Sequence, residues 1–272
     1  MMPEHVNPFT LLLNKWFGAY ALALLHFLHI TPDNPATPIP NDVGISLAVV
    51  LVSMVFFLWL RTRISVDRPG ATQQFMEILL TNPMKLGICD LLEENAGHDW
   101  RCYVPFIGSI SIFILFANSA GVFPKLDSPT AHKTVPLACA ILVFIYYNVQ
   151  GLRALGPLGY AKTFSGPVWW LAWLIFPVEI FSNVARLLSL TVRLWANILA
   201  SELIYFVFLI LFLAPVTHFQ QSVPAVAYVL GLFTATIPVL FQGLHLFVAV
   251  VQAFVFTILP AIYLGLATSH EH

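Results

Sequence analysis

The sequence predicts an all-α membrane protein with about five transmembrane helices, two of them long and tilted, and an amphipathic surface helix. Three observations predict this class. Hydrophobic residues make up 59% of the 272 residues and charged residues only 9%, whereas about 25% of residues are charged in a typical soluble domain. The mean hydropathy is +0.84. The apolar residues are also gathered in runs long enough to cross a bilayer, which takes roughly 20 residues of helix.

Composition also limits the classes of function. The formal net charge of −1 gives no sign of the basic surface typical of nucleic-acid binding, and no nucleic-acid partner is expected. The three cysteines, Cys89, Cys102 and Cys139, are not spaced as disulfide or zinc pairs. The sequence contains no glycine-rich phosphate loop and no cluster of metal ligands, so neither a cofactor nor a metal is expected.

The first 42 residues are predicted to form an N-terminal segment, and residues 43–272 the membrane domain. The apolar run 16–28 is short for a span and lacks the basic start and cleavage site of a signal peptide. We therefore expect it to lie in the membrane interface or to pack on the bundle. Residues 31–42 (TPDNPATPIPND) follow as a proline-rich linker, because proline lacks the amide that a helix interior needs.

The membrane domain begins with a predicted span at residues 43–60, which Arg61 closes. Basic residues just beyond a span mark its cytoplasmic side. Residues 73–97 then mix apolar and charged side chains, a pattern typical of a helix that lies on the membrane surface. Asn82 and Pro83 are expected to break this surface helix, because a residue before proline disfavours helical geometry.

Two ordinary spans are predicted next, at residues 103–123 and 135–150. Each carries an asparagine near its end, Asn118 in the first and Asn148 in the second. An amide in a membrane helix can be a hydrogen-bond partner between helices or part of a polar pathway. The residues themselves leave both interpretations open.

The last two apolar blocks, residues 170–213 and 225–266, are too long for a simple crossing. Unbroken, each would make a helix of roughly 60 Å, about twice the thickness of the hydrocarbon core. We therefore expect strong tilt or a bend. Because both blocks carry polar groups that lipid does not solvate, a cavity or a protein partner is expected beside them.

The basic residues of the loops predict the orientation. With the N-terminus outside and five crossings, seven lysines and arginines fall inside and three outside, which agrees with the excess of basic residues usual in cytoplasmic loops. The C-terminus is then cytoplasmic. The seven are Arg61, Arg63, Arg68, Lys85, Arg101, Arg153 and Lys162, and the three are Lys15, Lys125 and Lys133.

The first long block carries the charged residues. Glu179, Arg186 and Arg193 recur every seven residues and so lie along one helical face, which Asn197 extends. Glu202 follows Arg193 by nine residues, half a turn out of phase and ~13 Å along the axis, so the two cannot neutralise each other. An arginine in a membrane helix costs at least ~2.5–3.5 kcal/mol, which favours a functional role. The alternative is a structural ion pair.

Two other polar features of the long blocks have more than one interpretation. Arg186 can pair with Glu179 or extend to the cytoplasmic headgroups. Gln242, His245 and Gln252 share one face of the last block, because they are three and seven residues apart. A histidine there is either a packing residue or a proton relay, a role that suits imidazole because it titrates near neutral pH.

The string SLTVRLWANILASEL, residues 189–203, resembles the signature of subunit a of F-type ATP synthases. That signature has an arginine, an asparagine four residues later and an ionisable residue nine residues later. The last block is similar to the family's final helix in having His245 and Gln252. The resemblance covers nearly the whole chain, including the five spans, the surface helix and Glu179, fourteen residues before the arginine.

The resemblance implies the stator a subunit of the F0 sector, an inner-membrane protein with no active site for ATP. Two aqueous half-channels would pass ions to and from the carboxylates of a rotating c ring. The ion would be H⁺ or Na⁺, a choice that in this family resides largely in the c subunit. The implied partners are the c ring, the b subunits of the peripheral stalk and membrane lipid.

The resemblance also implies roles for single residues. Arg193 matches the essential ring-facing arginine, a cation that keeps its proton, attracts the ring carboxylate and bars a direct leak. Glu179 matches the inner half-channel, while Asn197 and Gln252 would help to position the arginine. Apart from the resemblance, Arg186 and Gln242 are predicted to be supporting residues. The outer half-channel would contain Glu202, His245, Gln252 and Asn118, with Asn148 a further candidate.

One position departs from the family pattern. Many members carry an acidic residue three positions after Asn118, where this sequence has Gly121. Proton entry would therefore depend more on Glu202 and His245.

Two other classes of function compete with this interpretation. The first is a secondary transporter that binds an anionic substrate at Arg193, although the sequence has no internal repeat of the kind common in transporter folds. The second is a membrane scaffold whose charges only hold a complex together.

Overall fold

The computed structural model describes residues 7–27, 29, 31, 34, 37–65, 68–82, 85–97, 100–122, 128–164, 169–222 and 224–268. Within these ranges, side chains are described except at 169, 212–216, 218–222, 224–235, 237 and 238. The described residues form α-helices and two short 3₁₀ turns, Pro129–Ala131 and Trp169–Leu171, without a β-strand. The helices are α1 (Pro8–Phe27), α2 (Asn41–Arg61), α3 (Ala71–Leu80), α4 (Ile88–Asn95), α5 (Trp100–Ala120), α6 (Thr134–Thr163), α7 (Ala172–Ser222) and α8 (Pro224–Thr268).

Four of these helices, α2, α6, α7 and α8, are long and apolar enough to cross a membrane, and α5 contains a shorter apolar stretch, Val104–Ala120. The prediction of an all-α membrane protein is therefore confirmed. The helices α7 and α8 have 51 and 45 residues. At 1.5 Å per residue they are about 77 and 68 Å long, more than twice the hydrocarbon thickness.

The core lies where α7 and α8 pack on each other and on α5 and α6. On α7 the buried residues Leu190, Leu194 and Ile198 are four apart, so they form one stripe along the helix. They pack in the same cluster as Ile114 of α5 and Phe256 of α8, and all five are at most 1% exposed. This stripe fixes which side of α7 faces the bundle, and with it the direction of the charged residues.

The helix α6 is longer than the predicted span 135–150, because it continues to Thr163 across a kink. At Gly156 the backbone has φ 69° and ψ 167°, a conformation that glycine adopts without steric cost. Pro157 follows and cannot donate a helical hydrogen bond. The residues after the kink fold back against the first part of α6. This is shown by Gly151, where an added Cβ would lie 2.6 Å from the ring of Tyr160.

The predicted surface helix 73–97 consists of two helices, α3 and α4, with the expected break between them. Pro83 itself lies outside the described residues. The helix α4 is amphipathic, and its apolar side packs into the core. Leu92 is fully buried there among residues of α5, α6, α7 and α8. The contact with α8 is close, because a Cβ on Gly265 would lie 2.0 Å from the Asn95 carbonyl oxygen.

The N-terminal helix α1 packs against α2 and the linker. Thr10 Oγ1 donates to Asn41 Oδ1 at 3.0 Å, and Asn14 exchanges two hydrogen bonds with the backbone of Ile39 at 2.9 and 3.0 Å. A Cβ on Gly44 would collide with Thr10 at 2.3 Å. The predicted boundary at residue 42 falls inside α2, and the division into an N-terminal segment and a membrane domain stays a prediction.

Candidate functional site

Arg193 points away from the helical core. It is exposed, as are Ser189, Asn197 and Ala200, which lie on the same face of α7. We call these four residues the arginine face. Among the described residues, no ion pair involves Arg193. Because lipid solvates a guanidinium poorly, this face requires a polar or charged partner in the membrane.

His245 of α8 lies at the junction of three helices and is 6% exposed. Its Nε2 is 3.1 Å from the backbone carbonyl oxygen of Asn118 in α5, and its Nδ1 is 3.1 Å from the Ser201 hydroxyl in α7. A carbonyl oxygen can only accept, so Nε2 carries the hydrogen of that bond. We call Asn118, Ser201 and His245 the histidine cluster.

The side chain of Asn118 is fully buried beside the turn that follows α5. Its Oδ1 accepts a hydrogen bond from Thr130 Oγ1 at 2.5 Å, and Thr130 is paired in turn with Ser128 at 2.7 Å. Its Nδ2 has no partner among the described atoms. A buried amide donor left unpaired costs about 1–3 kcal/mol, which makes Asn118 unusual for a packing residue.

Gln252 lies two turns beyond His245 and is 1% exposed. Both side chains face into the bundle, as their spacing predicts, and the Gln252 Oε1 has no partner among the described atoms. Gln242 lies at the other end of this stripe, where its amide nitrogen donates to the carbonyl oxygen of Val122. Glu202 is half-buried and directly follows Ser201 on α7.

A second polar group lies towards the start of α7. Tyr147 donates its hydroxyl hydrogen to Asn183 Oδ1 at 2.6 Å, and Asn183 Nδ2 donates to Asn148 Oδ1 at 3.1 Å. Tyr160, from beyond the kink of α6, also donates to Asn148 Oδ1, at 2.7 Å. We call these four residues the asparagine cluster; it ties both parts of α6 to α7.

Arg186 pairs with Glu179 beside the asparagine cluster, as one of the two sequence interpretations predicted. The distance between Arg186 Nη2 and Glu179 Oε1 is 3.5 Å, and the guanidinium lies 5.4 Å from the centre of the Tyr263 ring. The pair borders a cavity of about 250 Å³. Its lining includes Tyr147, Tyr160, Thr163, Glu179, Asn183 and Arg186.

The two polar groups lie on either side of Arg193 along α7. At 1.5 Å per residue, Asn183 is about 15 Å before Arg193 and Ser201 about 12 Å after it. The structure does not bring Asn148 and Asn118 together, and the half-channel to which Asn148 belongs stays a prediction. The loop after α5 begins near Asn118, whereas Asn148 lies 14 residues into α6, and these 14 residues carry it about 21 Å away from that loop.

Sequence reasoning missed several members of both groups. Asn183 follows Glu179 by four residues, so helical spacing could have found it. Ser201 had no comparable signal, because a serine in a membrane helix commonly bonds only to its own backbone. Tyr160 could not be found, because its contact with Asn148 depends on the kink at Gly156.

The fold and these groups define a polytopic membrane protein that carries polar groups inside its helical bundle and Arg193 on an exposed face of α7. Residues 43–265 match the sequence model of the family described as "ATP synthase A chain", and the chain belongs to this family. The resemblance inferred from residues 189–203 is thereby confirmed.

Several proteins are similar to this chain over three quarters or more of its length. A protein of Koribacter versatilis is 37% identical over 97% of each chain, and one of Solibacter usitatus is 39% identical over 92% of this chain and 95% of its own. A protein of Desulfosudis oleivorans is 40% identical over 75% of this chain and 78% of its own. Each is named "ATP synthase subunit a". Membership of the family implies a multi-pass membrane subunit that works in a complex with other ATP synthase subunits.

Proposed function

We propose that this chain is the stator through which protons reach and leave the carboxylates of a c ring, by two half-channels that end near Arg193. Proton flow would thereby drive rotation and ATP synthesis, while the chain itself would bind no ATP. The observation that carries this proposal is the position of Arg193. It faces outward, and separate buried polar groups lie on either side of it along one helix.

The arginine face is the surface for the ring. A guanidinium keeps its proton under all physiological conditions, so it attracts a deprotonated ring carboxylate without becoming a proton carrier itself. It also separates the two polar groups electrostatically, because an excess proton is repelled by a fixed cation. Asn197, one turn further along the same face, is placed to orient the ring carboxylate or the guanidinium.

The outer half-channel is formed by the histidine cluster with Gln252 and Glu202. Support comes from Asn118 Nδ2 and Gln252 Oε1, which are buried and have no partner among the described atoms, since buried polar atoms without partners are rare and call for an explanation such as a hydrated path. His245 lies between them as the titratable group. The N-terminus would be outside, so the loop between α5 and α6 would face the same side as this entrance.

The inner half-channel is formed by the asparagine cluster and the cavity beside it. Glu179 supplies a carboxylate there, and its Oε1 lies 3.5 Å from Arg186 Nη2. The hydroxyls of Tyr147 and Tyr160 and the amides of Asn148 and Asn183 form a continuous hydrogen-bonded chain. The b subunits of the peripheral stalk and membrane lipid would cover the remaining apolar surface of the chain.

Replacement of Arg193 tests the proposal. In membranes that contain the assembled synthase, we expect Arg193→Ala to abolish ATP-driven proton pumping, measured by quenching of a pH-sensitive dye, while ATP hydrolysis continues. Arg68→Ala removes an exposed arginine outside the helices and should pump normally. Coupled pumping at the normal rate in the Arg193→Ala enzyme would remove the ring-facing role and favour a scaffold.

A further inference from the structure

We infer that Ser201 is a positioning residue that holds His245 in place in both of its charge states. The inference rests on the proposed function, in which His245 carries protons. It begins from a histidine that is bonded at both ring nitrogens, to Asn118 on one side and to Ser201 on the other. A flip of this ring would break both hydrogen bonds, so the change that accommodates an extra proton is expected in one of its two partners.

The partner of Nε2 cannot change its role in the hydrogen bond. The Asn118 carbonyl oxygen accepts in every state, so Nε2 keeps its hydrogen whether the ring is neutral or charged. Proton uptake therefore occurs at Nδ1, the nitrogen that faces Ser201. In the neutral ring Nδ1 is an acceptor, and in the imidazolium it is a donor.

The Ser201 hydroxyl can meet both requirements, because its hydrogen has two acceptors within reach. Ser201 Oγ lies 3.1 Å from His245 Nδ1 and 2.8 Å from the carbonyl oxygen of Ile198 in the preceding turn. Beside neutral His245 the hydroxyl donates to Nδ1. When Nδ1 takes up a proton, the hydroxyl rotates to donate to Ile198 and accepts the new N–H with its oxygen.

In this exchange the ring takes up one proton at Nδ1 from water of the proposed half-channel and later returns one proton to that water. The serine keeps its own hydrogen throughout and only changes the acceptor, so the charged state gains the bond from Ser201 to Ile198. The Ile198 carbonyl has two lone pairs, so it can accept from the hydroxyl as well as from its helical amide. The charge of His245 can thus change within a buried site while neither ring nitrogen loses its partner.

A double-mutant cycle on passive proton flux through the membrane sector tests the inference, with flux normalised to the amount of chain in the membrane. We expect Ser201→Ala to lower flux about tenfold, since a hydrogen bond to a charged group is lost. Ser201→Thr keeps the hydroxyl and should stay within about twofold of the unaltered protein. In the His245→Gln background, Ser201→Ala should have no further effect, because it acts through His245.

Ser53→Ala is the matched control. Ser53 makes the same type of bond to its own helix, to the Val49 carbonyl at 2.7 Å, but lies on α2, away from any histidine contact described. Its removal should leave flux unchanged. Unaltered flux in Ser201→Ala, no rescue by threonine, or additive losses in the double variant would each overturn the inference. Normal flux in His245→Gln alone would instead overturn the proposed outer half-channel.

Discussion

Gly121, which has no side chain, leaves room for the ring of His245. A Cβ built on Gly121 would lie 2.9 Å from His245 Nε2 and 3.0 Å from the Ser128 Cβ. A side chain at position 121 would therefore require the imidazole of His245 to shift.

We accordingly predict that Gly121→Ala impairs proton flux. The added methyl group must displace the imidazole from the Asn118 carbonyl, so we expect a loss of about tenfold, comparable to the loss of one strong hydrogen bond. Gly108→Ala in the same region of the chain is the control, because its Cβ would meet Ile88 Cγ2 at 3.9 Å, an ordinary contact. Equal flux in the two variants would show that His245 tolerates the extra atom.

At the level of helices, the sequence predicted what depends on periodicity. The spacing of Arg193 and Asn197 predicted their common face, and the spacing of His245 and Gln252 predicted that both lie on one side of α8. Contacts between helices depend on more than this spacing. The partners of Asn148 could not be predicted, because they are set by the length and direction of α6, which no local pattern of residues encodes.

The kink of α6 makes a further prediction about stability. At φ 69° and ψ 167°, Gly156 adopts a conformation that costs other residues of order 1–3 kcal/mol. Gly156→Ala should therefore lower the melting temperature of the purified complex or subunit by a few degrees, at about 2–4 °C per kcal/mol. It should also weaken the Tyr160 contact with Asn148.

Gly159→Ala is the control for this kink, since Gly159 lies three residues further on, and a Cβ there would meet only Leu155 at 3.3 Å. Alanine favours helix over glycine by about 1 kcal/mol, so its melting temperature should be unchanged or higher. A Gly156→Ala protein as stable as Gly159→Ala would mean that the bend does not depend on the glycine.

For the whole molecule, the order of groups along α7 matters more than any single contact. Glu179 and Asn183 come first, Arg193 follows, and Ser201 and Glu202 come last, over a length of about 35 Å. A helix of this length reaches from one membrane interface to the other. Water would reach the asparagine cluster from one side of the membrane and the histidine cluster from the other. The two paths would therefore meet only at Arg193.

Thiol labelling of whole cells and inverted vesicles tests this sidedness. In a chain with its three cysteines replaced by serine, His132→Cys places a thiol at an exposed position before α6, and Lys162→Cys places one at its exposed far end. The one predicted crossing between these positions is α6, and it puts them on opposite sides of the membrane. We expect a membrane-impermeant maleimide to label position 132 from outside and position 162 from the cytoplasm, as the distribution of basic residues predicts. Labelling of both from one side would contradict the crossing by α6, and the reverse assignment would invert the outer and inner half-channels while leaving the ring-facing role of Arg193 intact.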